Sequence, residues 1–381
     1  MTVSRSVPRN SIVALATAAI LAAGALAFPT SASSAPQISP RGAIDGNWTQ
    51  VGGGLSGTTD DTLSQVFQLT SRQQFPDLRT TPGPFYAAGA FVASGGTPIN
   101  RVAQIEGDLW TTLPGDDTGI APQAARGETG GLPTPGVYGM VLGGNLNTLF
   151  AGGNFWGSDD TLNNVARWNA TDWRPMGLGL QISGSDVVQD MVMGNDFIDQ
   201  DDVNYSDDTI YAVGGFTGPC ATHACTGTLR PAAGVAQYSQ ADDTWYAVGD
   251  GTMTGTAYTG AYIDDTLYVG GQFSHISGRA LASVARWSNA DDTWHALGAG
   301  LSAGSVYAMA VHPTTKDLYI GGYNLQISGY GANFSPGIVK WDYTDDTWAA
   351  VGGGFVDPNV DDIAFSLNGE TMWVGMDTAA N

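Results

Sequence analysis

The tripeptide Asp-Asp-Thr occurs eight times in this chain, starting at Asp60, Asp116, Asp159, Asp207, Asp242, Asp264, Asp291 and Asp345. Carboxylates in such numbers point first to hard cations, which take oxygen ligands. Five of them, Asp207, Asp242, Asp264, Asp291 and Asp345, fall at turns that a repeat would gather on one face, and these are the candidate calcium ligands. The competing chemistry is local. A short aspartate closes a turn by accepting from a backbone amide two residues on, and the threonine then starts a strand. Adjacent carboxylates point apart, whereas calcium loops collect them at alternating positions around a glycine. Turn formation is therefore the expected role, and no cofactor is expected beyond calcium on that face.

Other reactive groups are sparse. Cys220-Ala-Thr-His-Ala-Cys225 closes a small loop, and in an exported chain the pair is expected to be a disulfide. A metal site using both sulfurs and His223 would have only three ligands. The remaining histidines, His275, His295 and His312, are scattered. Glycoside hydrolysis needs two carboxylates facing each other across a substrate. All but three of the 36 acidic residues are aspartate, so such a pair can arise in space, but spacing along the chain does not select it.

The elements that must position these groups are written in a repeat. Five segments end a strand in a small-residue step: Tyr86-Ala-Ala-Gly-Ala-Phe91, Phe150-Ala-Gly-Gly-Asn-Phe155, Tyr211-Ala-Val-Gly-Gly-Phe216, Tyr268-Val-Gly-Gly-Gln-Phe273 and Tyr319-Ile-Gly-Gly322. A strand such as Val165-Ala-Arg-Trp168 or Val284-Ala-Arg-Trp287 follows, then an acidic turn, then a tryptophan with a glycine-rich exit. Trp48, Trp110, Trp173, Trp245, Trp294 and Trp348 are those exits, separated by 62, 63, 72, 49 and 54 residues. Such periods mark propellers and arrays. The clearest unit, 305–354, reads as four short strands, Val306–Val311, Leu318–Gly322, Gly337–Asp342 and Thr347–Gly352, which is the composition of a propeller blade. The glycine pairs are expected where blades converge, and the tryptophans and tyrosines as packing between blades.

The expected fold is thus all-β, a six-bladed propeller with four antiparallel strands per blade. Gly42-Ala-Ile-Asp-Gly-Asn-Trp48 matches the last hairpin of a unit, and Asp362–Phe365 with Met372–Gly375 match the first two strands. Two N-terminal and two C-terminal strands would then close the ring without an open edge.

Residues 1–35 read as a signal peptide, with Arg5 and Arg9 before an apolar run from Ile12 to Phe28 and small residues at a cleavage site. Residues 36–381 then form a single domain. Loss of the two arginines takes the net charge from −22 to −24, which repels nucleic-acid phosphate and anionic lipid. The mature chain is expected to be secreted or held at the cell surface, monomeric, and not inserted in a membrane.

The order of double glycine, an aromatic such as Tyr238 or Trp287, and a tryptophan seven residues later resembles the kelch repeat. The Tyr-Val-Gly-Gly-Gln-Phe and Val-Ala-Arg-Trp strings are similar to secreted propellers related to the fungal cortical cell-polarity marker, and to bacterial cell-surface repeat proteins. This resemblance spans Gly42 to Asn381 and implies a propeller fold without an assigned chemistry. Kelch-like galactose oxidase needs a copper site of tyrosines and histidines, and the scattered histidines here do not supply one. Ser288-Asn-Ala-Asp-Asp-Thr-Trp294 loosely resembles the Asp-box of sialidase propellers, but it lacks the box glycine. Arg101, Arg167 and Arg286 sit at repeat positions and form no dedicated sialate cluster.

The function expected on these grounds is a non-catalytic binding module for a protein or glycan partner. A secreted glycan-active hydrolase using aspartates at the propeller axis is the alternative, and a salt-adapted structural surface protein a third. The segments 114–135, 195–208 and 217–231 depart from the repeat and are the places where loops would carry partner binding.

Overall fold

The computed structural model describes residues 2–3, 55–56, 66–71, 85–94, 97–106, 109–113, 120, 135–143, 148–155, 162–182, 187–194, 209–330, 336–355, 359–366 and 368–377. Regular structure among them is entirely β, and among these described residues no helix is long and apolar enough to cross a membrane. Five sheets of four antiparallel strands follow one another along the chain. The first comprises Val66–Ser71, Phe85–Gly89, Val102–Glu106 and Leu109–Thr111, and the second Gly136–Leu142, Leu149–Asn154, Val165–Trp168 and Trp173–Pro175. The third comprises Val188–Met193, Ile210–Gly214, Val235–Ser239 and Thr244–Ala247. In the fourth the strands are Met253–Ile263, Thr266–Ile276, Val284–Ser288 and Thr293–His295, and in the fifth Leu301–Val311, Leu318–Ile327, Ile338–Asp342 and Thr347–Ala350.

The first strand of each sheet lies beside the first strand of the next, from the first sheet through to the strand Asn359–Phe365. This is a propeller-like series. Second strands are covered on both faces, and Phe85–Gly89, Leu149–Asn154 and Ile210–Gly214 are buried along their whole length. That coverage is why they read as unbroken apolar and small-residue runs rather than alternating ones.

The glycine pairs do two separate jobs. A Cβ on Gly270 would lie 2.4 Å from Val306 Cγ1 of the next sheet, and one on Gly271 would lie 2.3 Å from the Thr256 carbonyl oxygen of its own sheet. The second contact arises because the first strand bulges at Tyr258, where the register passes from Ala257 to Thr259. Equivalent bulges follow Val66, Val188, Val306 and Val360. In the third sheet Val213 stands where the second, fourth and fifth carry their first glycine and the first carries Ala88. The next sheet compensates by offering Ala257 where its counterparts carry Val188, Val306 or Val360, and Val213 and Ala257 pack in one cluster.

Tryptophans staple neighbouring sheets. The Nε1–H groups of Trp245, Trp294 and Trp348 donate to the carbonyls of Met176, Val248 and Leu297, at 2.9, 3.4 and 3.0 Å. Each accepting carbonyl lies three residues after the exit tryptophan of the preceding sheet. Trp245 and Trp294 are 1% exposed, as interior packing requires.

Strands in the fourth and fifth sheets are longer than the repeat predicts. The second strand continues past its glycines and pairs with the exit of the preceding unit, so that Met253 opposes Ile276 and Leu301 opposes Ile327. Earlier in the chain the same pairing appears as separate short ladders, Leu180–Gln181 with Gly218–Pro219 and Leu55–Ser56 with Ala93–Ser94.

The sixth sheet contains the two expected C-terminal strands, Asn359–Phe365 and Met372–Asp377. The strand beside the second of these is Thr2–Val3, running parallel to it. Signal cleavage after residue 35 would remove that strand. The hairpin Gly42–Trp48, expected at this place, lies outside the described residues.

Candidate functional site

The Asp-Asp-Thr tripeptides form turns whose second aspartate adopts a left-handed backbone: Asp243, Asp292 and Asp346 have φ of 52°, 52° and 53°, and Asp265 has 60°. Aspartate tolerates this conformation better than most residues, which accounts for its recurrence. Turns from the first hairpin and the last hairpin of a unit share one face, as expected, because Asp264 of the fourth sheet meets Lys316 and Tyr343 of the fifth.

The four predicted cation ligands within the described residues, Asp242, Asp264, Asp291 and Asp345, do not come together. Asp242 accepts from the hydroxyl of Tyr246, and hydrogen bonds from Ser239 and Tyr246 hold its carboxyl below the usual value. Asp264 ties to Lys316 and, at 2.5 Å, to Tyr343 Oη. Asp291 accepts from Thr293 Oγ1 at 3.0 Å and pairs with His295 at 2.9 Å. Desolvation is the largest single influence on the Asp291 carboxyl and raises its pKa, but the bonds from Thr293, His295 and Ser288 and the charge of His295 together lower it. Asp345 is exposed, its amide donating to Asp342, and Asp207 lies outside the described residues. Among the described residues no three His, Cys, Asp or Glu side chains converge on one point. The adjacent carboxylates do point apart: beside Asp242, Asp243 turns to Tyr238 and to the amide of Gly177, 2.9 Å away on the preceding sheet.

Both lysines of the chain serve this same network. Lys340 Nζ lies 2.8 Å from Asp317 and 3.1 Å from Asp342, and Arg286 reaches Asp346 at 2.7 Å. Turn-face charge therefore joins strands and sheets.

Cys220 and Cys225 form the disulfide. Its loop is anchored on the second sheet, since Asn163 Nδ2 donates to the His223 carbonyl at 2.9 Å and the Gly227 amide donates to Gln181 Oε1 at 3.1 Å. The 114–135 insertion touches the core at Ile120, 1% exposed, whose carbonyl accepts from buried Arg101 at 2.7 Å. Burial lowers the Arg101 pKa to about 10. The segment 195–208 lies outside the described residues.

A carboxylate pair not singled out in the sequence sits on the innermost strands, directly after the bulges. Asp190 Oδ1 accepts from the Met191 amide at 2.8 Å, and Oδ2 from Gly260 of the next sheet at 3.0 Å. Asp362 accepts from the Ile363 amide at 2.8 Å. Depth in the protein raises the Asp190 pKa to about 7, against the opposing pull of Gly260, Met191 and Thr259, and the charge of Asp362 raises it further. Burial raises Asp362 likewise. Both keep partial exposure. Tyr258 and Tyr307, the bulged residues of the fourth and fifth sheets, meet with ring centroids 5.7 Å apart. The signal in the sequence was an acid inside an apolar inner strand, Val188-Gln-Asp-Met-Val-Met193. It becomes legible only once the bulge register aligns Asp190 with Gly139, Thr259, Ala308 and Asp362.

No protein-family model matches this chain, and no curated protein matches it. Solved structures that resemble it include the GH74 xyloglucanase from Xanthomonas campestris, with 12% identity and a TM-score of 0.48 over 87% of this chain and 46% of that one. The extracellular domain of a protein described as a one-component system of B. thetaiotaomicron gives 12% identity and a TM-score of 0.46, over 82% of this chain and 31% of that one. The chain spans less than half the length of either.

Proposed function

We propose that the protein is an exported or cell-surface six-bladed propeller, closed as a monomeric ring after loss of residues 1–35, that acts as a non-catalytic binding module. The observation behind this reading is the use made of its carboxylates. On the turn face they join strands and sheets, and on the inner strands they accept from bulge amides at Met191, Gly260 and Ile363. What such a scaffold offers a protein or glycan partner is a rigid surface and the gaps between its sheets.

The hydrolase reading keeps one specific support. Asp190, titrating near 7 beside a second raised acid, has the protonation behaviour of a general acid. Against it, among the described inner-strand residues no arginine or lysine accompanies the pair. The deciding experiment is a reducing-end assay of the mature chain on soluble polysaccharides between pH 4 and pH 8. No turnover is the expected result. Turnover lost in Asp190→Asn or Asp362→Asn would replace the binding-module reading with a hydrolase.

A further inference from the structure

A cleft opens at the junction of the third and fourth sheets, where the third strand carries Gln237 at a position that is Gln104 in the first sheet and arginine in the second and fourth. Between the second and third sheets, Asp243 of the last hairpin closes the gap by accepting from the Gly177 amide. Between the fourth and fifth, Asp346 at the same repeat position is held by Arg286, which reaches across from the third strand of the preceding sheet. At the junction of the third and fourth sheets the corresponding residues are Asp292 and Gln237. Glutamine thus stands where the neighbouring unit has arginine, and no cation reaches Asp292 from that strand. Gln237, Asp292 and Gly249, the counterpart of Gly177, instead line a cleft of about 550 Å³.

The size falls within the range of about 300–1,000 Å³ for small-ligand sites. Its walls carry Gln237, Asn289, Asp250, Asp292 and Arg279, and the largely buried Trp287 and Trp294 form part of its lining. Asn289 is fixed in place by a bond from Trp287 Nε1 at 2.9 Å and by its own bond to Tyr262 at 3.1 Å. Arg279 and Asp292 form no side-chain hydrogen bond or ion pair with any described residue, although most charged groups around them do.

We propose that this cleft binds a neutral oligosaccharide segment, an assignment that rests on the binding-module reading and gives it a ligand class. Hydroxyl groups both donate and accept, so one ligand can satisfy Asp292 and Arg279 together. An anionic ligand would meet Asp250, Asp292 and a chain of net charge −22, and a cationic one would meet Arg279. Planar amide and carboxylate groups suit pairs of adjacent hydroxyls.

The test is calorimetric titration of the purified chain with neutral glucan, xylan and mannan oligosaccharides, alongside uronate-containing counterparts and a lysine-rich peptide. At least one neutral oligosaccharide is expected to bind. Arg279→Ala should weaken it about tenfold or more, the loss of a charge-assisted hydrogen bond. Gln237→Arg supplies the arginine of the second and fourth sheets, pairs with Asp292 and fills the cleft, so it should abolish binding while the melting temperature holds or rises. Arg174→Ala, in an exposed ion pair with Asp172, should leave binding unchanged. Binding of none of the neutral sugars, preference for the uronates or the peptide, or full affinity in Gln237→Arg would each overturn the assignment. The titrated sugar is afterwards checked for cleavage. Cleavage would sink the non-catalytic reading alone, because the cleft stands or falls with Gln237→Arg.

Discussion

Asp190 and the turn aspartates make opposite demands on pH. In the folded chain Asp190 titrates at about 7 against 3.8 for an ordinary aspartate. Between those values the native state holds a proton that the unfolded chain has released. The stability tied to this group is therefore greatest below about pH 4 and is lost as pH rises towards 7. Asp242, Asp250, Asp291 and Asp342 are held below their ordinary value. Their contribution is present above the unfolded value and is lost as pH falls through the folded one. Replacing Asp362 with Asn removes a like charge from Asp190 and also removes the raised acid at 362. The variant should lose less melting temperature than the parent between pH 5 and pH 8, by about 2 °C for each kcal/mol of penalty removed. An equal or steeper loss in melts at the two pH values would count against the inner-strand coupling.

At the level of elements, the sheets fit by exchanging volume across each junction. Glycine faces valine at Gly152 and Val188, at Gly270 and Val306, and at Gly321 and Val360, whereas Val213 faces Ala257. Gly270→Ala should overpack its junction and cost about 1–3 kcal/mol. Val306→Ala alone should be destabilising through the cavity it leaves. Combined, the two changes move volume across the junction in the direction of the Val213–Ala257 arrangement, and the double variant should be more stable than the sum of the singles by roughly 0.5–3 kcal/mol. Denaturant unfolding of the four proteins measures this coupling, and additivity would show that the contact does not fix the spacing of the sheets. The turn before the third strand obeys a backbone rule of its own. Arg101, Asn164, Gly234, Ser283 and Gly337 share that position and all have positive φ, between 62° and 78°. Residue type varies there because conformation, rather than side-chain chemistry, is what the position requires.

Across the whole molecule, net charge opposes compactness. With −22 overall and only two lysines, self-repulsion is the long-range electrostatic term, and the ion pairs of the turn face are short-range. Screening shortens the reach of exposed charges from about 10 Å at 0.1 M salt to about 3 Å at 1 M. Surface ion pairs contribute only about 0–1 kcal/mol each, so relief of repulsion should outweigh their weakening. The melting temperature is expected to rise between about 0.05 M and 1 M sodium chloride. A fall would mean that pairs such as Lys340 with Asp317 and Asp342 matter more than the overall charge.

By itself the sequence determined the β-class, the four-strand unit, the shared turn face, the disulfide and the structural part played by the tryptophans. All of these are written locally, in glycine steps, turn residues and aromatic spacing, and short-range sterics and hydrogen bonding suffice to read them. Only the tertiary structure decided which buried carboxylates feel one another's charge. Asp190 and Asp362 lie far apart along the chain and are brought into register by bulges whose positions depend on a glycine in the facing strand. The cleft at Gln237 is intermediate. The replacement of arginine is visible in the string Val235-Ala-Gln-Tyr238 beside Val165-Ala-Arg-Trp168 and Val284-Ala-Arg-Trp287. Its consequence is not, because the aspartate that arginine would have held belongs to the next sheet, and only packing brings the two together.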